Sequence, residues 1–156
     1  MIRQLTAEDD AQLIAVYRDA VVSQALGLYR DEQIEAWAHH AASDPAVLSA
    51  VRRGYGLVSC DAADPRVIEA FALLEPIDRL SLLYCRGRSC RQGRGRQLVE
   101  ALERQARRHH CRRLRTEASQ LSRPLLLRLG WRIEAEEELI FAGQPFQRWR
   151  MIKDLP

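Results

Sequence analysis

The sequence of 156 residues has no long apolar run, and no stretch approaches the roughly 18 consecutive apolar residues that span a bilayer. The first residues, Met1 to Leu5, lack the basic and then apolar layout of a secretory signal. The four cysteines form no C-x-x-C pair, which argues against a zinc ribbon, and a chain of this size folds without a disulfide framework. Together these absences predict a cytoplasmic protein with no contact to a membrane.

Lysine is also nearly missing, because Lys153 is the one lysine among 24 basic residues. Between Arg86 and Arg115 the chain has eleven arginines and two acidic residues, a charge of +9. The net charge of +3 therefore leaves −6 for the remaining residues. A basic block of this kind is either a solvated face or an anion site, and the planar guanidinium suits phosphate.

The apolar residues, 47% of the chain, are sufficient for one core, and the length suits a single domain over residues 1–156. Their periodicity predicts alternating helices and strands. Helices are expected after Thr6, from Asp31, over 96–109 and after Ser122, and strands over 55–60, 67–74, 80–85, 114–118, 131–141 and 147–152. The dense apolar run 80–85 is typical of a strand covered on both faces. It forms a βαβ unit with helix 96–109 and a parallel strand, 114–118.

A loop rich in glycine and arginine, residues 90–96, joins that buried strand to its helix. Gly93 and Gly95 would let backbone N–H groups converge on an anion, and the helix N-terminus adds roughly half a positive charge. The loop is therefore interpreted as a binding site for a diphosphate, and the alternative interpretation is a flexible turn without a ligand. The spacing matches neither the Walker A loop nor the G-x-G-x-x-G loop of dinucleotide folds.

This loop resembles the acetyl-CoA-binding motif of the GNAT superfamily of N-acetyltransferases, [QR]-x-x-G-x-[GA] followed by a helix with paired aliphatic residues. The likeness extends over nearly the whole chain through Leu98, Val99, Leu102, Glu103, Thr116–Ser119, Ser122–Pro124, Leu129–Trp131, Gly143, Trp149, Met151, Lys153 and Leu155. Upstream, Tyr29, Gln33 and Trp37 are similar to a Y…Q…AW signature of one bacterial subgroup. The resemblance implies a mixed, mostly antiparallel central sheet with a parallel βαβ cofactor-binding unit and helices on both faces. It also implies acetyl-CoA as acyl donor and, often, a homodimer.

Carried over residue by residue, the resemblance implies cofactor contacts at Leu83, Tyr84, Cys85, Arg91, Gln92, Gly93, Arg94, Gly95, Arg96, Ser119 and Ser122. It further implies that strand 80–85 splays from 114–118 to admit the pantetheine arm. A backbone N–H around Tyr84 or Cys85 would then polarise the acetyl carbonyl. The sequence departs from the family pattern at Cys90, where Gln or Arg is usual, and Arg88 or Arg91 would supply the lost phosphate contact.

A second departure concerns proton transfer. Leu126 stands where many family members have a tyrosine that serves as general acid for the departing thiolate. Ser119, Ser122 and Tyr84 are the candidate replacements. Because a thiol with a pKa near 8.5 is a tolerable leaving group, losing the acid would slow the reaction without forbidding it.

The acceptor amine must also lose a proton, since only about one alkylamine in 2,500 is neutral at pH 7. Glu75 and Glu117 are the candidate bases, and desolvation of the ammonium is the alternative. The acidic cluster 134–138 either attracts a cationic amine or is an exposed face that pairs with the arginine block. Tyr29 and Trp37 either line the acceptor pocket or pack the first helices.

We therefore expect an acetyl-CoA-dependent N-acetyltransferase that acts on a primary amine of a small molecule or peptide by direct transfer in a ternary complex. The alternatives are a non-catalytic CoA-binding regulator and a basic nucleic-acid-binding module. The second is disfavoured because residues 86–115 lack interleaved aromatic residues. No metal is expected, because the neighbours His109, His110 and Cys111 point about 100° apart on a helix and cannot share an ion.

Overall fold

The computed structural model describes all 156 residues. Seven strands form one sheet: β1 (Ile2–Gln4), β2 (Tyr55–Cys60), β3 (Ile68–Leu74), β4 (Arg79–Cys85), β5 (Arg113–Ala118), β6 (Arg132–Phe141) and β7 (Gln144–Asp154). Five helices accompany them: α1 (Asp10–Gln24), α2 (Asp31–Ser43), α3 (Ala46–Arg53), α4 (Arg94–Arg108) and α5 (Arg123–Arg128). The strand order is β1-β2-β3-β4-β5-β7-β6, and only the β4–β5 pair is parallel. The predicted mixed sheet and parallel βαβ unit are confirmed.

The helices cover both faces of this sheet and form two apolar clusters. Helices α1, α2 and α3 bury one cluster against the side chains of Phe71 and Leu73, whereas α4 and α5 bury the other against Ala70 and Ala72. Successive side chains of a strand point to opposite faces, so β3 contributes to both clusters and all seven of its residues are buried. No helix is both long and apolar enough to cross a membrane.

Strand β4 differs from the prediction of a strand covered on both faces. Only Leu80 of its seven residues is buried and the other six are half-buried, so that prediction is wrong for β4 and fits β3. The cause lies in the pairing. Strand β4 pairs with β3 along its length but with β5 only at Arg79 and Leu80, beyond which the two strands separate.

Two elements escaped the sequence analysis, β1 and α3. Strand β1 has three residues, which is too short for an alternating pattern, and it is held by pairing with β2. Helix α3 has eight residues between Pro45 and Gly54, and this proline and glycine predict only turns or breaks between elements.

An ion pair fastens the N-terminal segment to the start of α1. The Arg3 guanidinium donates two hydrogen bonds of 2.9 Å to the carboxylate of Asp9, which is 5% exposed. The hydrogen bonds from Arg3 hold the pKa of Asp9 below its usual range. A carboxyl whose pKa is lowered by folding stabilises the protein above its unfolded pKa, and that contribution disappears as the pH falls through the folded pKa.

We therefore expect Asp9→Asn to lower the free energy of unfolding by about 1–3 kcal/mol at pH 7. The difference from the wild-type protein should shrink at acid pH, where Asp9 itself becomes protonated. Urea denaturation at pH 7 and pH 3 measures both effects. Asp64→Asn, which weakens a pair with the largely exposed Arg66, is the control and should cost clearly less stability than Asp9→Asn. An equal cost for the two variants at pH 7 would contradict the prediction.

Candidate active site

The loop before α4 presents a row of unpaired backbone donors. The N–H groups of residues 91–96 donate to no protein acceptor, and the first bond of the helix runs from Gln97 N to Gly93 O at 3.0 Å. Arg91 and Gly93 have φ angles of +61° and +82°, in the left-handed region. Left-handed residues in a turn direct neighbouring N–H groups into an anion-binding concavity. The six donors and the N-terminal end of α4 form what we call the amide cradle, and its chemistry fits a diphosphate.

Buried groups fix the base of the amide cradle. The carboxylate of Glu69 on β3, 3% exposed, pairs with Arg88 at 2.9 Å and with Arg86 at 3.3 Å. The N–H of Gly87 donates to Asp19 Oδ2 of α1 at 2.8 Å. Two acidic side chains from separate elements therefore anchor the segment that leads from β4 into the cradle.

Most arginine side chains of this loop contact protein groups. Arg94 donates to Ser59 Oγ at 2.8 Å and to the Cys60 carbonyl at 3.0 Å, while Arg96 pairs with Glu100 at 2.8 Å. Arg91 makes no ion pair. Arg94 and Arg96 can therefore offer an anion their backbone amides but not unpaired guanidinium groups. Arg91 can offer both its amide and its guanidinium.

The sheet opens next to the amide cradle. The last paired position is Leu80 opposite Thr116, where Thr116 Oγ1 donates to the Leu80 carbonyl at 2.6 Å. Beyond this position no β5 partner faces β4, and the cavity, about 240 Å³ in volume, occupies the gap. Gly95 joins the cradle to the cavity, because a Cβ there would lie 2.9 Å from Leu125 Cδ2 on the cavity wall.

The pairing of β3 with β4 decides which amides face this gap. Arg86 N donates to Glu69 O at 2.8 Å. In an antiparallel ladder alternate residues exchange hydrogen bonds, so Tyr84 pairs with β3 through its amide while Leu83 and Cys85 direct theirs to the opposite edge. Of the two amides expected near the acetyl carbonyl, that of Cys85 is therefore directed toward the gap, as is that of Leu83, whereas the Tyr84 amide is directed toward β3.

The structure brings most of the sequence-predicted site residues to one cavity. Those that line it are Tyr29, Trp37, Leu83, Tyr84, Cys85, Gly95, Glu117, Ser119 and Ser122. Arg91, Gln92, Gly93, Arg94 and Arg96 lie beside it in the cradle. Glu75 does not line the cavity, and its carboxylate is 3.4 Å from Arg53 Nε. As a candidate base, Glu75 is thus remote from the site.

The second candidate base, Glu117, is also paired with an arginine. Glu117 Oε2 accepts a hydrogen bond from Arg79 Nε at 2.9 Å, and both side chains are largely shielded from solvent. An arginine at this distance competes with an amine for the oxygens of the carboxylate. No carboxylate in the cavity is free of an arginine partner.

The hydroxyl groups near α5 satisfy local backbone donors. Ser119 Oγ accepts from the amides of Leu121 and Ser122 at 3.1 and 3.3 Å, and Ser122 Oγ accepts from Ser119 N at 3.2 Å. Each hydroxyl keeps its own hydrogen for donation. Leu126, at the position of the usual acid, is 1% exposed to solvent and lines the same cavity, so the wall is apolar there.

The tyrosines of the cavity are held as neutral phenols. Tyr84 OH accepts from Trp37 Nε1 at 3.1 Å, and Tyr29 OH accepts from Gln120 N at 3.0 Å. Burial raises the pKa of both phenols above the ordinary value. Burial likewise raises the pKa of the Cys85 thiol to about 12, so this thiol stays protonated at neutral pH and is a poor nucleophile.

Several cavity residues were missed by the sequence analysis. Gln24 of α1 donates from Nε2 to the Cys85 carbonyl at 2.6 Å, and Phe141, Phe146 and Leu125 line the walls. No local motif marks these residues, because each reaches the cavity through long-range packing. The one available signal was the position of Phe141 and Phe146 beside the break between the predicted strands 131–141 and 147–152.

The acidic stretch of β6 pairs within its own hairpin. Glu137 bonds Arg148 at 2.5 Å and lies 3.7 Å from Arg150, and Glu136 accepts from Trp149 Nε1 at 2.9 Å. The expectation that this stretch pairs with arginines 86–115 is wrong, because β6 lies at the sheet edge beside β7.

Comparison with known proteins supplies the family. The model of the acetyltransferase (GNAT) domain matches residues 25–153, so the chain belongs to the GNAT acetyltransferase family. A search of curated proteins by sequence gives no significant match.

Solved structures agree in fold. A GCN5-related N-acetyltransferase from Rhodopseudomonas palustris, whose name adds "Aminotransferase, Class-II", superposes with a TM-score of 0.93 at 22% identity, covering 99% of this chain and 95% of that one. The PaiA N-acetyltransferase of Thermoplasma acidophilum in complex with coenzyme A gives a TM-score of 0.78 at 20% identity, covering 99% and 98%. The ribosomal-protein-S18-alanine N-acetyltransferase of Escherichia coli gives 0.70 at 15% identity, covering 99% and 93%.

Proposed function

We propose that this protein transfers the acetyl group of acetyl-CoA directly to a primary amine bound in the same cavity. The observation that carries the proposal is the amide cradle beside a gap between β4 and β5. The cradle supplies six donors for paired phosphates, and the gap supplies a channel for an extended arm that ends next to the Leu83 and Cys85 amides. Acetyl-CoA would contribute the acetyl group as an activated thioester.

The protein groups then have separate tasks. The amide of Leu83 or Cys85 polarises the carbonyl, in the manner of an oxyanion hole. Ser119 and Ser122 are the hydroxyls available to donate a hydrogen bond to the leaving sulfur. Direct transfer is favoured over an acetyl-cysteine enzyme because the half-buried Cys85 thiol, with its pKa raised to about 12, is not ionised.

Desolvation takes the place of a base in this scheme. Glu75 lies outside the cavity and Glu117 is held by Arg79. An ammonium moved from water into apolar surroundings loses part of its preference for the charged form. The acceptor would therefore release its proton to solvent water on entering the cavity, without a carboxylate dedicated to accepting it.

Two measurements on the purified protein test the proposal. Acetyl-CoA at 100 times its Kd should add about 2.7 kcal/mol to the free energy of unfolding. For a chain of this size that is an increase in Tm of roughly 5–10 °C. Release of free thiol with a panel of monoamines, diamines, amino acids, aminoglycosides and peptides should then show turnover. The absence of thermal protection at millimolar acetyl-CoA would contradict the proposal.

A non-catalytic CoA-binding protein is the second candidate, and the apolar wall at Leu126 is the observation that favours it. Thermal protection without turnover on any amine would support that candidate. Nucleic-acid binding has less support, because five of the eleven arginines of the block form ion pairs with acidic residues of this chain. The pairs include Arg86 and Arg88 with Glu69, Arg113 with Asp154, and Arg115 with Asp78.

A further inference from the structure

One part of the cavity is built from aromatic side chains, none of which belongs to the amide cradle. Tyr29, Trp37, Tyr84, Phe141 and Phe146 converge there from four parts of the chain. The first follows α1, the second lies on α2, the third on β4, and the two phenylalanines flank the β6–β7 turn. We call this set the aromatic half of the cavity.

The rings pack against one another, Trp37 edge-to-face with Tyr29 and with Phe146, and Tyr29 tilted against Phe146. The centroid of Tyr29 lies 5.3 Å from that of Trp37 and 5.8 Å from that of Phe146, and Trp37 lies 5.9 Å from Phe146. Spacings of 4.5–7 Å are favourable for aromatic pairs. The polar ends are already hydrogen-bonded, Trp37 Nε1 to Tyr84 OH and Tyr29 OH to the amide of Gln120. The aromatic half therefore offers mainly carbon surface to a guest.

Charge is scarce around this surface. The charged residues of the cavity are Glu117 and Arg148, and they are paired with Arg79 and Glu137 respectively. A diamine or polyamine would bring a second ammonium into surroundings that hold no free carboxylate. Burying a charge without a partner is strongly unfavourable. An amine with an aromatic or branched apolar substituent would instead displace water from the surface of the rings.

From this arrangement we propose that the acceptor is an arylalkylamine, a monoamine whose aromatic group occupies the aromatic half while its nitrogen points toward Leu83. The inference rests on the proposed acetyl transfer and adds the substrate class. It also explains how the reaction proceeds without a free carboxylate base, because the same apolar surroundings favour the neutral amine.

Initial rates of thiol release with 2-phenylethylamine and 1,4-diaminobutane test the substrate class. The kcat/KM for 2-phenylethylamine should be at least about 10-fold higher, as expected when a pocket matches an apolar group. Equal rates, or a preference for the diamine or an aminoglycoside, would overturn the arylalkylamine assignment and leave the acetyltransferase function standing. Thermal protection by acetyl-CoA without turnover on any amine would overturn both.

A variant of the aromatic half separates binding from folding. Phe146→Leu removes one ring, and we expect the KM for 2-phenylethylamine to rise about 10-fold while thermal protection by acetyl-CoA is unchanged. Tyr55→Leu removes a ring that does not line the cavity and is the matched control. If Phe146→Leu fails to fold, the half-buried Phe141 supplies the alternative variant Phe141→Leu. A KM equal to that of the control would overturn the proposal.

Discussion

Replacing Gly93 by glutamate should abolish the thermal protection that acetyl-CoA gives. The residue is the N-cap that precedes α4, its φ is +82°, and a Cβ there meets no protein atom within 4 Å, so a new side chain would extend from the cradle without a clash. A carboxylate about 4 Å from a phosphate charge costs roughly 4 kcal/mol at an effective dielectric constant of 20. That exceeds the protection of about 2.7 kcal/mol expected at 100 times the Kd.

Two further variants isolate the cause of that loss. Gly93→Gln has nearly the same size and the same backbone strain, about 1–2 kcal/mol for a left-handed residue with a Cβ, but carries no charge. Gly143→Glu places the same charge at another left-handed glycine, φ +80°, that also has no neighbour within 4 Å. Protection should be partial for Gly93→Gln and complete for Gly143→Glu. Full protection of Gly93→Glu, measured by thermal unfolding, would show that the cradle does not hold the phosphates.

The sequence was most informative where the signal is local. Gly93 and Gly95 predict a turn that exposes backbone amides, because Gly93 readily adopts the left-handed conformation of such a turn and Gly95 adds no side chain. The parallel β4–β5 pair follows from the single helix between the two strands and the right-handed rule for such crossovers. The turn depends on a few consecutive residues and the pair on one continuous strand–helix–strand unit, and the structure shows both at the predicted positions.

Partners from distant parts of the chain could not be predicted. The pairing of Glu117 with Arg79 decides whether that carboxylate is free to act, and Gln24 contacts Cys85 across the fold. Neither contact produces a periodic pattern in the sequence, because each depends on how α1, β4 and β5 are placed in the fold. The aromatic half of the cavity could not be predicted for the same reason, because its rings come from four separate parts of the chain.

The wrong prediction that β4 is covered on both faces is informative about function. Its run from Leu80 to Cys85 is as apolar as a strand buried on both faces, yet the protein covers only part of it. Protein contacts alone therefore do not explain the composition of this strand. An arm of a bound cofactor in the gap beside β5 would complete the coverage that the sequence pattern predicts.

The largest catalytic effect is expected from removing a single backbone N–H at the edge of that gap. Leu83→Pro deletes an amide that the β3–β4 ladder does not use, and proline is tolerated at a strand edge whose N–H has no partner. Losing one oxyanion-hole donor typically lowers kcat by about 10²–10³-fold. Leu83→Ala loses the same side chain but keeps the amide, so it controls for lost packing against α4.

The comparison of these two variants decides whether the backbone of β4 takes part in the reaction. Thiol release with saturating amine gives kcat, and thermal protection by acetyl-CoA shows whether the cradle still binds. We expect Leu83→Pro to keep most of the protection, because the cradle donors lie in residues 91–96. A kcat within tenfold of that of Leu83→Ala would exclude the Leu83 amide as the polarising group, and Cys85→Pro would then test the other amide that faces the gap.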